Sequence, residues 1–148
     1  MGSVRILLAD DHQTVLKTVA RMLAGDFDVV GAVENGKLAV EAVAALDPDI
    51  VVLDISMPVM DGLEAASLLK QSGSRARVIF LTVQAQPEFV SAAFSAGAKG
   101  YVLKAHLVTD LVPAIREVLQ GRAFASSSLG MNETASIRPP TALPGQEA

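Results

Sequence analysis

The sequence predicts an α/β protein built on a parallel sheet. Three observations carry that expectation. Short apolar runs alternate five times with segments of helical periodicity. One run, Ile50-Val51-Val52-Leu53, is apolar at every position, as suits a central strand covered on both faces. Several runs end on a group with chemistry to offer: Asp10-Asp11, Asp54, Thr82 and Lys104.

Each element has its own justification. Val4–Ala9 is the first strand. Val15, Val19, Met22 and Leu23 then recur on one face of a helix, and Gly25 stands where that helix should end. Phe27–Val33 is the second strand. Asn35-Gly36 in isolation suits a hairpin, but no alternating strand follows it; Ala39, Ala42, Val43 and Leu46 follow at helical spacing. Pro48 precedes the third strand, which ends at Asp54. A loop from Ser56 to Gly62 leads into a helix near Leu63–Gln71, with Leu63, Ala66 and Leu69 as core positions. Arg77–Thr82 is the fourth strand. Pro87 suits the first turn of the fourth helix, and Gly97 closes it. Tyr101-Val102-Leu103 is the fifth strand, ending at Lys104. The fifth helix spans about Thr109 to Gln120, with Leu111, Ile115, Val118 and Leu119 inward and Gly121 after it. Residues 1–122 are thus one domain. From Ala123 the pattern stops, and Ser126-Ser127-Ser128, Pro139-Pro140 and Pro144-Gly145 predict a flexible polar tail or linker over 123–148.

Composition narrows the function. Of the 148 residues, 51% are hydrophobic and 19% charged, which suits a packed core and not wholesale disorder. A net charge of −4 and a pI near 5.1 argue against a broad basic surface for nucleic acid, and against docking on anionic lipid. With no cysteine, disulfides, zinc-thiolate sites and cysteine nucleophiles are excluded. Two histidines, His12 and His106, are too few for an imidazole-built metal site, so a carboxylate-built one is the open choice. No apolar run is long enough to cross a bilayer, and the N-terminus lacks a signal-peptide core, so the expected location is the cytoplasm.

Parallel strands bring their carboxyl ends to one edge of a sheet, so Asp10, Asp11, Asp54, Thr82 and Lys104 should converge in one cleft. Three carboxylates there repel one another and call for a counter-charge. Mg2+ suits them, because it takes oxygen ligands and keeps waters; Lys104 adds a second positive charge. A cleft with a cation, an ammonium and a hydroxyl suits a phosphoryl group, and a carboxylate in it can attack phosphorus. Local alternatives stand beside these roles. Asp10 and Asp11 can cap the first helix. Lys104 can be a solvated strand end. Tyr101 can be a packing aromatic. His12 reads as an exposed first-turn residue and not as a ligand, His106 as a surface loop residue, and Asp61 as part of the loop and helix start.

In this order and at these strand ends, Asp10-Asp11, Leu53-Asp54-Ile55-Ser56-Met57-Pro58-Val59-Met60-Asp61-Gly62, Thr82 and Tyr101-Val102-Leu103-Lys104 resemble the receiver domain of two-component response regulators. The resemblance covers about residues 4–121. It implies a flavodoxin-like (βα)5 doubly wound sheet of strand order 2-1-3-4-5. It implies that Asp54 accepts a phosphoryl group from a histidine kinase. Asp10, Asp11, Asp54 and the backbone carbonyl of Ser56 would hold Mg2+. Thr82 would hydrogen-bond the phosphoryl group, Lys104 would pair with Asp54 and then with that group, and Tyr101 would be a switch that follows Thr82. Ser56 and Gln84 stand where the family tunes the lifetime of the acyl phosphate. The output would be a changed surface on the fourth helix, fifth strand and fifth helix, or on the first and fifth helices, controlling homodimerisation or an effector.

Two departures are visible. Ala105 follows Lys104 where many receivers have proline, so a trans peptide and an altered loop are expected; Val83 after Thr82 is bulkier than the usual small residue. Ala105 and Asp10-Asp11-His12 both resemble the NarL/FixJ group. The domain would act on no external metabolite. The rival readings are a phosphorylation-independent scaffold receiver, a haloacid-dehalogenase-type phosphatase and a flavodoxin-like cofactor binder. The second needs a further Asp where Ser56 stands, and the third a phosphate-cradling loop that is missing. No basic recognition helix follows the fifth helix, so DNA would be reached only through an output domain outside this chain, and no membrane contact is expected.

Overall fold

The computed structural model describes residues 3–127. In chain order its elements are β1 (Arg5–Ala9), α1 (Gln13–Leu23), β2 (Asp28–Val33), α2 (Gly36–Leu46), β3 (Ile50–Leu53), α3 (Gly62–Gln71), β4 (Arg77–Thr82), α4 (Pro87–Ser95), β5 (Gly100–Leu103), a 3-10 turn (Lys104–His106), α5 (Leu107–Leu119) and β6 (Phe124–Ala125). The strands form one parallel sheet in the order β2-β1-β3-β4-β5-β6. The first five take the expected 2-1-3-4-5 order.

β6 departs from the sequence reading, which ends the patterned region at residue 122. Two residues carry no periodicity, and the serine run after them reads as linker. The open edge of β5 decides the matter instead: Phe124 N donates to Lys99 O (3.1 Å) and Ser126 N to Tyr101 O (3.0 Å). Residues 128–148, the rest of the expected tail, lie outside the described residues.

Side chains alternate across the sheet, so each strand feeds two cores. On one face Leu7, Val51, Leu53, Phe80 and Tyr101 pack with α2, α3 and α4 through Ala39, Val43, Ala65, Leu69, Val90 and Ala93. On the other, Ile6, Leu8, Val52, Ile79, Leu81 and Val102 pack with Leu16, Val19 and Leu23 of α1 and Leu111, Ala114, Ile115 and Val118 of α5. β3 is buried at all four positions, as its unbroken apolar run predicts. Each fully buried aliphatic side chain contributes about 1.5–3 kcal/mol. Several core assignments shift at the margin, Leu119 among them, which is half-buried. Leu16 is the buried residue of the first turn of α1, with Val15 and Met22 half-buried beside that core, and Leu63 is half-buried where full burial is expected.

Helix ends follow local chemistry. Asn35 accepts from Leu38 N, and Asp61 from Glu64 N, each at 2.8 Å. α4 opens on Pro87, and Gly97 and Gly121 follow α4 and α5 with φ of +103° and +86°. α1 stops at Leu23, short of Gly25, and α5 starts at Leu107, ahead of Thr109. The amino edge of the sheet is stitched by charge. Arg5 N donates to Asp49 (2.8 Å) and the Arg75 guanidinium reaches Asp47 (3.2 Å) and Asp49 (3.1 Å). The Arg5 N–H first, and then Arg75, hold the Asp49 carboxyl below its usual range.

Candidate functional site

The carboxyl edge of the sheet receives Asp10 from β1, Asp54 from β3, Thr82 from β4 and Lys104 from β5. Asp10 and Asp54 are 3% and 4% exposed. Burying carboxylates is costly unless they are paired. Lys104 supplies the pairing, with Nζ 2.8 Å from Asp10 Oδ2 and 3.0 Å from Asp54 Oδ2. Burial by itself pushes the Lys104 ammonium down; its hydrogen bonds to Asp10 and Asp54, with their charges, outweigh that and raise it above the usual lysine value. Lys104 is therefore no solvated strand end. The second oxygens are also held: Ile55 N donates to Asp54 Oδ1 (2.7 Å) and His12 N to Asp10 Oδ1 (2.8 Å).

The capping alternative for the acidic pair does not hold. His12, not Asp10 or Asp11, is the N-cap of α1, and it makes no side-chain cap bond. His12 is well exposed, as its sequence position suggests, yet its Nδ1 lies 3.1 Å from Asp10 Oδ1 and 3.2 Å from Asp11 Oδ1. Asp10, Asp11, His12 and Asp54 each offer a ligand atom, and these atoms all lie within 4.8 Å of one another. An oxygen-dominated set of this kind fits a hard divalent cation.

Thr82 is fully buried, and its Oγ1 accepts from Gln84 N at 3.3 Å. Gln84 also accepts from Tyr101 OH through its carbonyl (2.7 Å), and its Nε2 donates to Ser56 Oγ (3.2 Å). One glutamine thus joins the loops after β3 and β4 to β5. Tyr101 is fully buried, with its ring centroid 6.3 Å from that of Phe80. Burial first, and then the charge of Asp54, push its phenol above the usual tyrosine value. Its packing and its hydrogen bond to the β4–α4 loop coexist.

The loop after Asp54 closes tightly. Gly62 N donates to Ile55 O (2.7 Å), and a Cβ on Gly62 would stand 2.0 Å from the Asp54 carbonyl oxygen. Only glycine permits that approach. Val59, in the same loop, has φ +70° and is 75% exposed. A β-branched residue there is strained. Asp61 caps α3 and belongs to the helix start, as the sequence suggests. At the other departure, every peptide bond among the described residues is trans, and the 3-10 turn follows Lys104 directly. Val83 is largely exposed.

Sequence reasoning misses two features here. The contact of His12 with both aspartates carries only a faint signal, its place two residues after Asp10. Ser126 lies in a run read as linker, yet it is buried and bonded to Leu103 N and Asp110. Nothing local marks that serine among its neighbours.

A doubly wound parallel sheet with an acidic pair, a buried aspartate, a hydroxyl and a lysine at its carboxyl edge defines a receiver-type signalling domain. The chain matches the response regulator receiver domain family over residues 6–116 and belongs to that family. It is 36% identical over 135 residues to the nitrate/nitrite response regulator protein NarL of Escherichia coli (strain K12), across 90% of this chain and 62% of that protein. It is 36% identical over 140 residues to the transcriptional regulatory protein YvfU of Bacillus subtilis (strain 168), across 93% of this chain and 70% of that protein. Among solved structures it resembles a LuxR-family two-component response regulator from Aurantimonas sp. SI85-9A1. The TM-score is 0.83 and the identity 33%, over 92% of this chain and 98% of that one. The domain is thus a receiver of NarL/LuxR type, a family of two-component signalling with transcriptional regulators among its members. No helix among the described residues is long and apolar enough to cross a membrane.

Proposed function

We propose that the domain is a phosphorylation-controlled switch in which Asp54 accepts a phosphoryl group from a histidine kinase. The observation that carries this reading is the Lys104 ammonium bridging buried Asp10 and Asp54 at 2.8 and 3.0 Å. It sets a positive charge against both carboxylates in a site otherwise too acidic to admit a phosphate. An Asp54 carboxylate oxygen bonds to phosphorus as the phosphohistidine N–P bond breaks, and the bonding pair returns to the imidazole nitrogen. Lys104 then faces the phosphoryl oxygens, and Thr82 donates its hydroxyl to one of them. Asp10, Asp11, Asp54 and the Ser56 carbonyl would hold Mg2+, which when bound offsets charge on those oxygens. The domain promotes only its own phosphorylation and dephosphorylation.

The readout is a population shift, carried by Tyr101 and the Gln84 network to the α4–β5–α5 surface or to α1 and α5, where homodimerisation or an effector responds. DNA would be met only through an output domain outside this chain, in the cytoplasm. By composition residues 123–148 read as a polar tail or a linker.

Intact-mass spectrometry after incubation with acetyl phosphate and Mg2+ tests this reading. A single phosphoryl adduct is expected, dependent on Mg2+ and absent from Asp54→Asn. An adduct that persists in that variant would place the acceptor elsewhere; none in the folded wild type would favour a scaffold role.

A further inference from the structure

β5 carries two groups of the site, Tyr101 within it and Lys104 directly after its last residue, Leu103. Its inner edge pairs with β4, and its outer edge is covered by the chain returning from α5. Along that outer edge Phe124 N donates to Lys99 O (3.1 Å) and Ser126 N to Tyr101 O (3.0 Å). In a parallel ladder the next rung would be a main-chain carbonyl accepting from Leu103 N. Here the Ser126 hydroxyl accepts that N–H, at 3.1 Å, and donates its own proton to Asp110 Oδ2 of α5, at 2.8 Å. The other Asp110 oxygen accepts from the Thr109 hydroxyl at 3.2 Å.

Ser126 is 2% exposed. A buried hydroxyl is tolerated because both its donor and its acceptor capacity are used. Edge cover alone would need no side-chain oxygen, since β6 supplies it through the main chain. What the hydroxyl adds is a junction between three pieces: the last N–H of β5, the first turn of α5, and the chain that leaves the sheet at Ser126. One residue beyond that N–H, Lys104 reaches across to Asp10 and Asp54.

We infer that Ser126 and Asp110 are positioning residues that clamp the end of β5, so that the placement of Lys104 at Asp54 is coupled to the chain leaving the sheet after β6. The inference rests on the reading of Asp54 as phosphoacceptor. Coupling is reciprocal. A group on Asp54 that draws on Lys104 must be felt at Leu103 N–H and Ser126, and release of Ser126 must alter the affinity for that group.

The test uses the full 148-residue chain with beryllium fluoride and Mg2+, a tetrahedral mimic of a carboxyl phosphate. Its affinity is measured for wild type, Ser126→Ala, Asp110→Ala and Ser126→Thr, alongside amide exchange of the peptides holding Leu103 and Ser126. Asp49→Asn, at the opposite edge of the sheet, controls for simple loss of stability. Ser126→Ala and Asp110→Ala should each weaken beryllium fluoride binding by about fivefold or more. Ser126→Thr should restore it, and Asp49→Asn should leave it unchanged. Wild-type exchange at Ser126 should change on loading, and the Ala variants should lose that response. Equal affinity and equal exchange response in wild type and both Ala variants would overturn the clamp alone, as would an equal loss in Asp49→Asn. A folded wild type that neither binds beryllium fluoride nor takes a phosphoryl group would overturn the phosphoacceptor reading, and this inference with it.

Discussion

Tyr101 is the single tyrosine of a chain with no tryptophan. Its ionisation can therefore be followed by near-ultraviolet absorbance without interference. The phenol is fully buried and donates to Gln84 O, and burial followed by the Asp54 charge raises its pKa. In an unfolded chain the phenol ionises near pH ~10. Above that pH the folded chain keeps a proton that the unfolded chain has lost. The stabilisation is complete below about pH 10 and declines as pH rises toward the folded pKa. Lys104, also raised, acts in the same direction. In a pH titration the folded protein should show little phenolate where the urea-unfolded chain is half ionised, and phenolate should appear together with loss of helical circular dichroism. Ionisation at the ordinary value with the helices intact would mean that the hydroxyl is not locked to Gln84. The acidic pair, Asp54 and Lys104 are legible in the sequence because each ends an apolar run and parallel strands share an edge. The bonds of Gln84 and Ser126 are not, because their partners lie 17 to 28 and 16 to 23 residues away and are set by how loops pack.

At the scale of elements, the sequence is legible wherever burial is one-sided or complete. The five strand–helix units and the order of their strands follow from periodicity and from the receiver resemblance. Errors fall at ends, where periodicity has too few residues to act. β6 has two residues, and the first turn of α5 is extended to Leu107 by the 3-10 turn after Lys104. That early start places Pro113 well inside α5. A proline there removes one hydrogen bond, to Thr109 O, and crowds that carbonyl. The helix tolerates it because Pro113 is exposed while Leu111, Ala114, Ile115 and Val118 fix the opposite side against the sheet. Pro113→Ala should restore the bond and stabilise the fold by about 1–2 kcal/mol, once the lost restriction of the unfolded chain is set against the gain. Urea unfolding should show a higher midpoint with an unchanged slope. A lower midpoint would mean that the proline ring makes a needed contact.

For the whole molecule, the two edges of the sheet carry opposite designs. At the amino edge Asp47 and Asp49 are matched by Arg75 and by the Arg5 backbone, and the arrangement is complete in itself. At the carboxyl edge Asp10, Asp11 and Asp54 converge, with Lys104 on two of them and, among the described residues, only the imidazole of His12 paired with the third. In a chain of net charge −4, that edge keeps uncompensated charge that a bound divalent cation would relieve. A ligand that binds only the folded state raises global stability by mass action. At ten times its dissociation constant Mg2+ should add about 1.4 kcal/mol, which for a domain of this size raises Tm by about 3–6 °C. Na+ at equal ionic strength should not reproduce the rise, because screening acts on all surface charge alike and only weakly at paired buried sites. EDTA should reverse it. Asp11→Asn should abolish it while keeping the fold, since Asp11 carries none of the Lys104 bonds that hold β1, β3 and β5 together at this edge. If Asp11→Asn keeps the full rise, the cation sits elsewhere; if Na+ matches Mg2+, the carboxyl edge is relieved by ionic strength alone and holds no specific ion.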